Sequence, residues 1–138
     1  MEYSMSQKMI NVLVVDDEKE ILECFKDIFK NSNFSIFTAN NGKMAIEELK
    51  KNNCDIAFID ICMPGMDGVE TLKELKVINP NLKAIMISGF RNEDILEKAL
   101  KIGAFSYLFK PLDIQNIIDI AVKCAKNLGI DDHIEIIH

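Results

Sequence analysis

Short apolar runs recur along the chain, and each has the length of a buried β-strand. The runs are Ile10–Val15, Phe34–Thr38, Asp55–Ile59, Lys83–Ser88 and Ala104–Phe109. A continuous apolar run, rather than strict alternation, is typical of a strand that is covered on both faces, as in a parallel sheet. The pattern therefore predicts five strands that are buried on both faces.

A segment with helical spacing of apolar residues follows each of these runs. Residues three and four positions apart lie on one side of a helix, so each segment is expected to bury one face. Gly129 is expected to end the last helix in a left-handed conformation. The predicted apolar faces comprise Ile21, Leu22, Phe25, Ile28 and Phe29; Met44, Ala45 and Leu49; Val69, Leu72, Leu75 and Val77; Ile95, Leu96, Ala99 and Leu100; and Ile114, Ile117, Ile118, Ala121 and Ala125.

Five successive strand–helix units predict a single α/β domain. Right-handed crossovers between parallel strands put helices on both faces of the sheet, which gives a (βα)5 sandwich around a five-stranded parallel sheet. We expect this domain to occupy residues 9–128. Residues 1–8 are expected to form a flexible N-terminal arm, and residues 129–138 a C-terminal tail or the start of a linker.

Composition and charge narrow the class of protein. The chain has 138 residues, of which 49% are hydrophobic, enough for one core. Its formal net charge of −6 argues against direct nucleic-acid binding. No apolar run approaches the roughly 20 residues that span a membrane, and the N-terminus lacks the apolar segment of a signal peptide, so a cytoplasmic location is expected.

The four cysteines, Cys24, Cys54, Cys62 and Cys124, form no C-x-x-C pair. We interpret them as reduced thiols that fill small apolar gaps, rather than as zinc ligands or a disulfide framework.

Polar side chains that can bind ligands or take part in catalysis lie at the ends of the predicted strands. Asp16-Asp17-Glu18 follows the first strand, Asp60 the third, Ser88 ends the fourth, and Lys110 follows the fifth. Because the carboxyl ends of parallel strands meet at one edge of the sheet, these groups are expected to converge there.

Such a cluster of acids needs a cation. Two carboxylates a few ångströms apart repel by roughly 3–4 kcal/mol at an effective dielectric constant near 20. Lys110 supplies one positive charge, and oxygen ligands select Mg²⁺, Mn²⁺ or Ca²⁺ over zinc, with Mg²⁺ favoured. A carboxylate beside a divalent ion, a lysine and a hydroxyl suits the capture of a phosphoryl group as an aspartyl phosphate.

Asp16-Asp17, Asp60 in FIDICMPGMDG, Ser88 in AIMISG and Lys110-Pro111 in SYLFKP resemble the signature of the CheY-like receiver domain of two-component response regulators. The resemblance covers about residues 9–128. It implies the flavodoxin-like strand order 2-1-3-4-5, for which this family is itself a standard example, so that order is carried over from the family.

The resemblance also implies roles for individual residues. Asp60 would be the phosphoacceptor, and Ser88 and Lys110 would contact the phosphoryl oxygens. Mg²⁺, or Mn²⁺ in its place, would be held by Asp16, Asp17, Asp60 and the backbone carbonyl of Cys62. The Lys110-Pro111 peptide bond would be cis.

Ser88 and Tyr107 are implied to form a switch that alters the face made by the fourth helix, the fifth strand and the fifth helix. The implied partners are a sensor histidine kinase or phosphotransfer protein as donor, an output domain or downstream protein, and a homodimer that forms on phosphorylation. No membrane partner is expected. The domain would catalyse its own phosphorylation and dephosphorylation, and would not otherwise be an enzyme.

Other functions fit the residues less well. A phosphatase with an aspartate nucleophile needs a second acid two residues later, where this chain has Cys62. A flavodoxin-like cofactor binder needs a loop rich in Ser, Thr and Gly, and the acids of VDDEKE would repel its phosphate. A receiver-like module that is never phosphorylated remains an alternative.

The acids after the first strand could instead cap a helix, as Asp67 is expected to do for the third helix.

Two residues beside the predicted site bear on the lifetime of an aspartyl phosphate. Cys62 lies two positions after Asp60, and Phe90 two positions after Ser88. In the family these positions flank the path of the attacking water. Neither side chain orients water as an amide or carboxylate would, so we hypothesise slow self-hydrolysis.

Overall fold

A computed structural model describes residues 9–63, 65–89 and 93–129. Five strands alternate with five helices, and the first element is a strand. The predicted N-terminal arm, Phe90 and residues 130–138 lie outside the described residues. The elements are β1 (Ile10–Val15), α1 (Lys19–Phe29), β2 (Phe34–Ala39), α2 (Gly42–Lys51), β3 (Ile56–Asp60), α3 (Gly68–Ile78), β4 (Lys83–Ser88), α4 (Glu93–Ile102), β5 (Ser106–Phe109) and α5 (Ile114–Asn127).

The strands form one parallel sheet in the order β2-β1-β3-β4-β5. The predicted fold class and the strand order implied by the resemblance are both confirmed. This order reverses direction at β1, since the chain moves outward to β2 and then back across β1 to β3. The carboxyl ends of β1 and β3 therefore lie side by side at the point where ligands bind in doubly wound sheets.

Each face of the sheet carries its own hydrophobic core. Successive side chains of a strand point to opposite faces, so Leu13 and Val15 enter one core while Val12 and Val14 enter the other. The first core packs the sheet against α2, α3 and α4, with buried helix residues that include Ala45, Leu49, Leu72, Leu75, Leu96 and Ala99. The second packs it against α1 and α5, with Phe25, Ile28, Phe29, Ile117, Ala121, Cys124 and Ala125.

Burial on both faces holds for the central strands and is wrong for the edge strands. All residues of β3 are buried, and β1 and β4 are buried apart from one residue each. The middle of β2 and most of β5 are half-buried, and Tyr107 is 41% exposed. An edge strand has a neighbouring strand on one side only, so the same apolar run leaves more of its surface uncovered.

The predicted start of the fifth strand at Ala104 is also wrong, because that residue belongs to the hydrogen-bonded turn that follows α4. The backbone N–H groups of Gly103 and Ala104 both donate to the carbonyl of Ala99, at 3.1 and 3.0 Å. Gly103 has φ +123°, in the region that favours glycine. Strand β5 begins at Ser106.

Helix ends follow the sequence more closely. The Asp67 side chain caps α3 by accepting from the N–H of Glu70 at 2.9 Å, as predicted. Gly129 has φ +79° directly after the last turn of α5, as predicted. Glu18 stands at the start of α1 and forms no side-chain capping hydrogen bond within the described chain.

The prediction for the thiols is partly correct. All four cysteines are described and free of disulfides, and Cys54 and Cys124 are buried in apolar cores. Cys62, however, is exposed and fills no gap. In the described part of the chain, no helix is both long and apolar enough to cross a membrane.

Candidate functional site

Four polar residues of the predicted site lie at the carboxyl edge of the sheet. Asp60 is the last residue of β3 and Ser88 the last of β4, while Asp16 and Lys110 directly follow β1 and β5. The register aligns these ends, since Asp60 pairs with Ile87, next to Ser88. The N–H of Lys110 donates to the carbonyl of Ser88 at 2.8 Å, which joins the last two strand ends.

Three carboxylates form the negative part of this edge. Oxygen atoms of Asp16, Asp17 and Asp60 all lie within 4.8 Å of one another. Asp16 is completely buried and Asp60 is 3% exposed, whereas Asp17 faces solvent. Two acids are thus closed in by the fold, and the third is open to an ion arriving from water.

The buried acids have oxygens that fit a hard cation. Oδ2 of Asp16 is buried and accepts no hydrogen bond from any described residue. The Lys110 ammonium lies 3.5 Å from this oxygen but forms no hydrogen bond with it. A buried acceptor without a hydrogen bond is costly, so a cation bound here would stabilise it. Three carboxylates with oxygen donors alone suit Mg²⁺ or Mn²⁺. The residues present therefore fit the divalent ion that the sequence predicts.

Lys110 lies between the acids. Its Nζ is 3.5 Å from Oδ2 of Asp16, Oδ2 of Asp60 and Oε2 of Glu18. The lysine side chain is 20% exposed, so part of its charge is removed from water. Its peptide bond to Pro111 is cis, as the resemblance implied.

Burial and mutual repulsion disturb the ionisation of the acids. In the metal-free protein, burial and the neighbouring Asp16 carboxylate raise the pKa of Asp60 from 3.8 to about 6, against the opposing effect of Lys110. Burial likewise raises the pKa of Asp16, although the Glu18 N–H and Lys110 oppose it. Burial alone would lower the pKa of Lys110, but the surrounding carboxylates outweigh it and raise that pKa.

Backbone N–H groups hold both buried carboxylates in place. The N–H of Glu18 donates to Oδ1 of Asp16 at 2.8 Å, and the N–H of Cys62 donates to Oδ1 of Asp60 at 3.2 Å. One oxygen of each acid is therefore fixed by the chain, while Oδ2 of each faces Lys110. This arrangement leaves the Oδ2 atoms as the ones directed at the centre of the site.

The two predicted switch residues have different surroundings. Ser88 is 2% exposed at the end of β4, inside the site. Tyr107 lies on the edge strand β5 with its ring 5.3 Å from that of Phe109, edge to face. Tyr107 is 41% exposed and helps to line a groove between β5 and α4.

Two further residues shape the site without having been predicted to do so. Glu18 was noted as a strand-end acid, but its ion pair with Lys110 was not expected. Gly68, the first residue of α3, packs against the backbone that carries Asp60. A Cβ on Gly68 would lie 2.6 Å from the Cα of Ile61 and still closer to the Asp60 carbonyl oxygen, so only glycine fits there. A glycine directly after the capping Asp67 was the available signal.

The comparisons with known proteins agree with this geometry. A family model described as the response regulator receiver domain matches residues 12–122. Sporulation initiation phosphotransferase F of Bacillus subtilis is 35% identical over 112 residues, which are 81% of this chain and 90% of that protein. The solved CheX-CheY-BeF3-Mg complex from Borrelia burgdorferi matches at 33% identity with a TM-score of 0.77, covering 83% of this chain and 87% of that one.

Some relatives are much longer than this chain. Transcriptional regulatory protein ZraR of Klebsiella oxytoca is 35% identical over 113 residues, which are 82% of this chain and 26% of that protein. The chain thus spans about a quarter of ZraR but nearly all of phosphotransferase F.

Proposed function

We propose, since this chain belongs to the response regulator receiver domain family of two-component phosphorelay signalling, that Asp60 is the residue of this protein that accepts the phosphoryl group. The family accepts phosphoryl groups on an aspartate and binds Mg²⁺. The observation that carries the assignment is the position of the Asp60 Oδ2 atom. It lies at the carboxyl edge of the sheet, 3.5 Å from the Lys110 ammonium. One oxygen of the buried Asp60 carboxylate also lies within 4.8 Å of oxygens from Asp16 and Asp17.

In the proposed reaction an Asp60 oxygen attacks the phosphorus atom of the donor. A new O–P bond forms while the bond from phosphorus to the donor atom breaks, and the donor leaves with that electron pair. Lys110 neutralises charge on the transferred oxygens, and the Ser88 hydroxyl donates a hydrogen bond to one of them. The Cys62 N–H holds the other carboxylate oxygen of Asp60 and so keeps the nucleophile oriented.

Asp16, Asp17, Asp60 and the backbone carbonyl of Cys62 would hold Mg²⁺, with Mn²⁺ as an alternative. When bound, the ion neutralises negative charge on the phosphoryl group and the acids. The Oδ2 atom of Asp16, which is buried and accepts no hydrogen bond from the described residues, supports this ligand set. A related structure that contains CheY together with Mg²⁺ and beryllium fluoride supports the choice of metal.

A sensor histidine kinase or phosphotransfer protein is the proposed donor, and an output domain or downstream protein is the proposed receiver of the signal. Two relatives of different length support this proposal. One is a phosphotransferase of similar size to this chain, and the other is a transcriptional regulator more than three times as long. Beyond its own phosphorylation and dephosphorylation, the domain is proposed to have no catalytic activity.

The proposed signalling surface is the face formed by α4, β5 and α5. Tyr107, 41% exposed, lies at its centre, and a groove of about 240 Å³ separates β5 from α4. A movement of Ser88 toward a phosphoryl group would allow an aromatic side chain on β5 to turn inward, with a differential of a few kcal/mol between the two states. A homodimer on phosphorylation is proposed to use this same face.

The test is incubation with Mg²⁺ and acetyl phosphate followed by intact-mass measurement. Wild-type protein is expected to gain the mass of one phosphoryl group, and Asp60→Ala is expected to gain none. Asp119→Asn, which changes an exposed acid on α5, is the control and is expected to behave as wild type. Labelling of Asp60→Ala, or no labelling of the wild type with any phosphodonor, would reject the proposal.

A further inference from the structure

Lys110 forms ion pairs with three carboxylates, and one of them, Glu18, has no role in the proposed reaction. Its Nζ lies 3.5 Å from oxygens of Asp16, Asp60 and Glu18. The first two belong to the proposed metal and phosphoryl site, and both are buried. Glu18 belongs to neither, and its side chain is 55% exposed.

The local structure directs Glu18 toward Lys110. Its N–H donates to Oδ1 of Asp16 at 2.8 Å, so its backbone is fixed beside a buried acid. It begins α1, yet within the described chain its side chain makes no capping hydrogen bond, unlike the shorter Asp67 and Asp113 at the starts of α3 and α5. The longer glutamate instead reaches across the strand ends to the ammonium.

We propose that Glu18 is a positioning residue that holds the Lys110 ammonium at the outer rim of the site and thereby slows phosphorylation. The inference rests on the proposed function of Asp60. When the metal and the phosphoryl group engage Asp16 and Asp60, Glu18 is the carboxylate that still competes for Lys110. Its negative charge also repels the incoming phosphoryl oxygens at the same place.

The step concerned is the attack of an Asp60 oxygen on the phosphorus of acetyl phosphate. The new O–P bond forms as the P–O bond to the acetyl group breaks, and acetate leaves with the electron pair. Negative charge on the transferred oxygens needs the ammonium during this step. An ammonium held by Glu18 must first leave that partner.

The first experiment measures the rate constant for phosphorylation by acetyl phosphate in Mg²⁺. Glu18→Gln is expected to raise it by about two- to fivefold, the range for a partly exposed ion pair. Glu20→Gln removes the same charge from the first turn of α1, two residues after Glu18. Glu20 forms no ion pair with a described cation, so this variant is expected to leave the rate near that of wild type. In a Lys110→Gln background, Glu18→Gln is expected to have no accelerating effect.

A second experiment does not require phosphorylation and decides the matter if Lys110→Gln is inert. A double-mutant cycle on urea unfolding, in the absence of metal, measures the coupling between Glu18 and Lys110. The expected coupling changes the folding equilibrium constant by about two- to fivefold, whereas the cycle for Glu20 and Lys110 is expected to be additive.

Equal acceleration by Glu18→Gln and Glu20→Gln would overturn the inference, because a general charge effect would then suffice. Slower phosphorylation of Glu18→Gln, or additivity in the Glu18–Lys110 cycle, would also overturn it. These results leave the proposed function intact so long as wild type is labelled at Asp60. A wild type that is never labelled rejects the proposed function first, and the inference with it.

Discussion

Asp60 is a carboxylate that the fold buries, and its negative charge is unfavourable until a cation faces it. It is 3% exposed, and burial and Asp16 raise its pKa from 3.8 to about 6. Lys110 compensates only part of this cost. A carboxylate that is poorly stabilised in the resting protein is suited to the proposed role of Asp60, in which the site takes up a metal and a phosphoryl group.

Asp60→Asn is expected to stabilise the metal-free protein at pH 7.5. The difference between 3.8 and about 6 corresponds to about 3 kcal/mol, which is the upper limit of the gain. Because the folded protein binds the Asp60 proton more tightly than the unfolded chain does, wild-type stability falls as the pH rises from about 4 to 6. The advantage of the variant is therefore full above pH 7 and shrinks as the pH falls toward 4, as urea unfolding in EDTA would measure.

Asp27→Asn is the control for this experiment, since Asp27 is exposed on α1 and its substitution is expected to change the unfolding free energy little at either pH. A loss of stability in Asp60→Asn at pH 7.5, or a gain independent of pH, would contradict the assigned electrostatics.

Residues at strand ends were predictable, whereas contacts between different strand ends were not. Asp16, Asp60, Ser88 and Lys110 could be assigned to one edge because each directly ends or follows an apolar run, which is a local feature. The ion pair of Glu18 depends on the reach of a side chain across space. No spacing along the chain encodes that distance.

At the scale of elements, the junction between β3 and α3 depends on a close backbone approach. The N–H of Gly68 donates to the Ile61 carbonyl at 3.0 Å, and the helix starts against the backbone of Asp60 and Ile61. The only signal in the sequence is the glycine directly after the capping Asp67, and a glycine alone does not say which backbone it approaches.

Gly68→Ala is expected to destabilise the protein by about 1–3 kcal/mol because its Cβ would collide with the Asp60–Ile61 backbone. Alanine is the better helix former, so propensity alone predicts a gain. Gly89→Ala is the control, since a Cβ there meets nothing within 4 Å among the described residues. Urea unfolding of the two variants would separate these effects, and a gain in stability for Gly68→Ala would refute the collision.

Helix α3 shows why an apolar residue can be assigned to the wrong face. Val77 was predicted to join Val69, Leu72 and Leu75 in the core, yet it is 79% exposed. Two residues along a helix correspond to about 200°, so Val77 lies almost opposite Leu75. Ile78, three residues after Leu75, packs against the core in its place.

Leu75→Ala and Val77→Ala are expected to differ strongly in stability. Leu75 is completely buried, so its truncation is expected to cost about 2–5 kcal/mol. Val77→Ala is expected to change the unfolding free energy by less than about 0.5 kcal/mol. Thermal or urea unfolding measures both, and similar losses for the two variants would contradict the orientation of α3.

At the scale of the whole molecule, the overall fold was the most predictable feature, because five strand–helix units leave few arrangements. The strand order could be predicted only from the family resemblance, because apolar runs do not indicate which strands are neighbours in the sheet. The exposure of β2 and β5 follows from that order. Once the order is known, the two edge strands are identified, and the uniform burial predicted from their apolar runs no longer applies to them.

The charge of the whole molecule and of its acid cluster leads us to expect that a divalent cation stabilises the fold. The chain has a formal net charge of −6, and Asp16, Asp17, Asp60 and Glu18 concentrate four acids around one lysine. A ligand that binds the folded state alone raises its stability, by about 2.7 kcal/mol when present at 100 times its dissociation constant. Mg²⁺ is therefore expected to raise the melting temperature at pH 7.5 in a concentration-dependent way, as a thermal melt against EDTA would measure.

The Asp17→Asn variant distinguishes stabilisation by a bound Mg²⁺ ion from stabilisation by the general screening effect of salt. Asp17 is the exposed member of the acid cluster, so its substitution is expected to weaken the Mg²⁺-dependent shift without the gain in stability that burial gives to Asp60→Asn. Glu20→Gln removes an equal charge nearby and should keep the full shift. Because Asp60 binds a proton below pH 6, the shift in wild type should also shrink at pH 5. An equal response of all three proteins, or one that K⁺ at matched ionic strength reproduces, would mean that screening rather than a bound ion stabilises the fold.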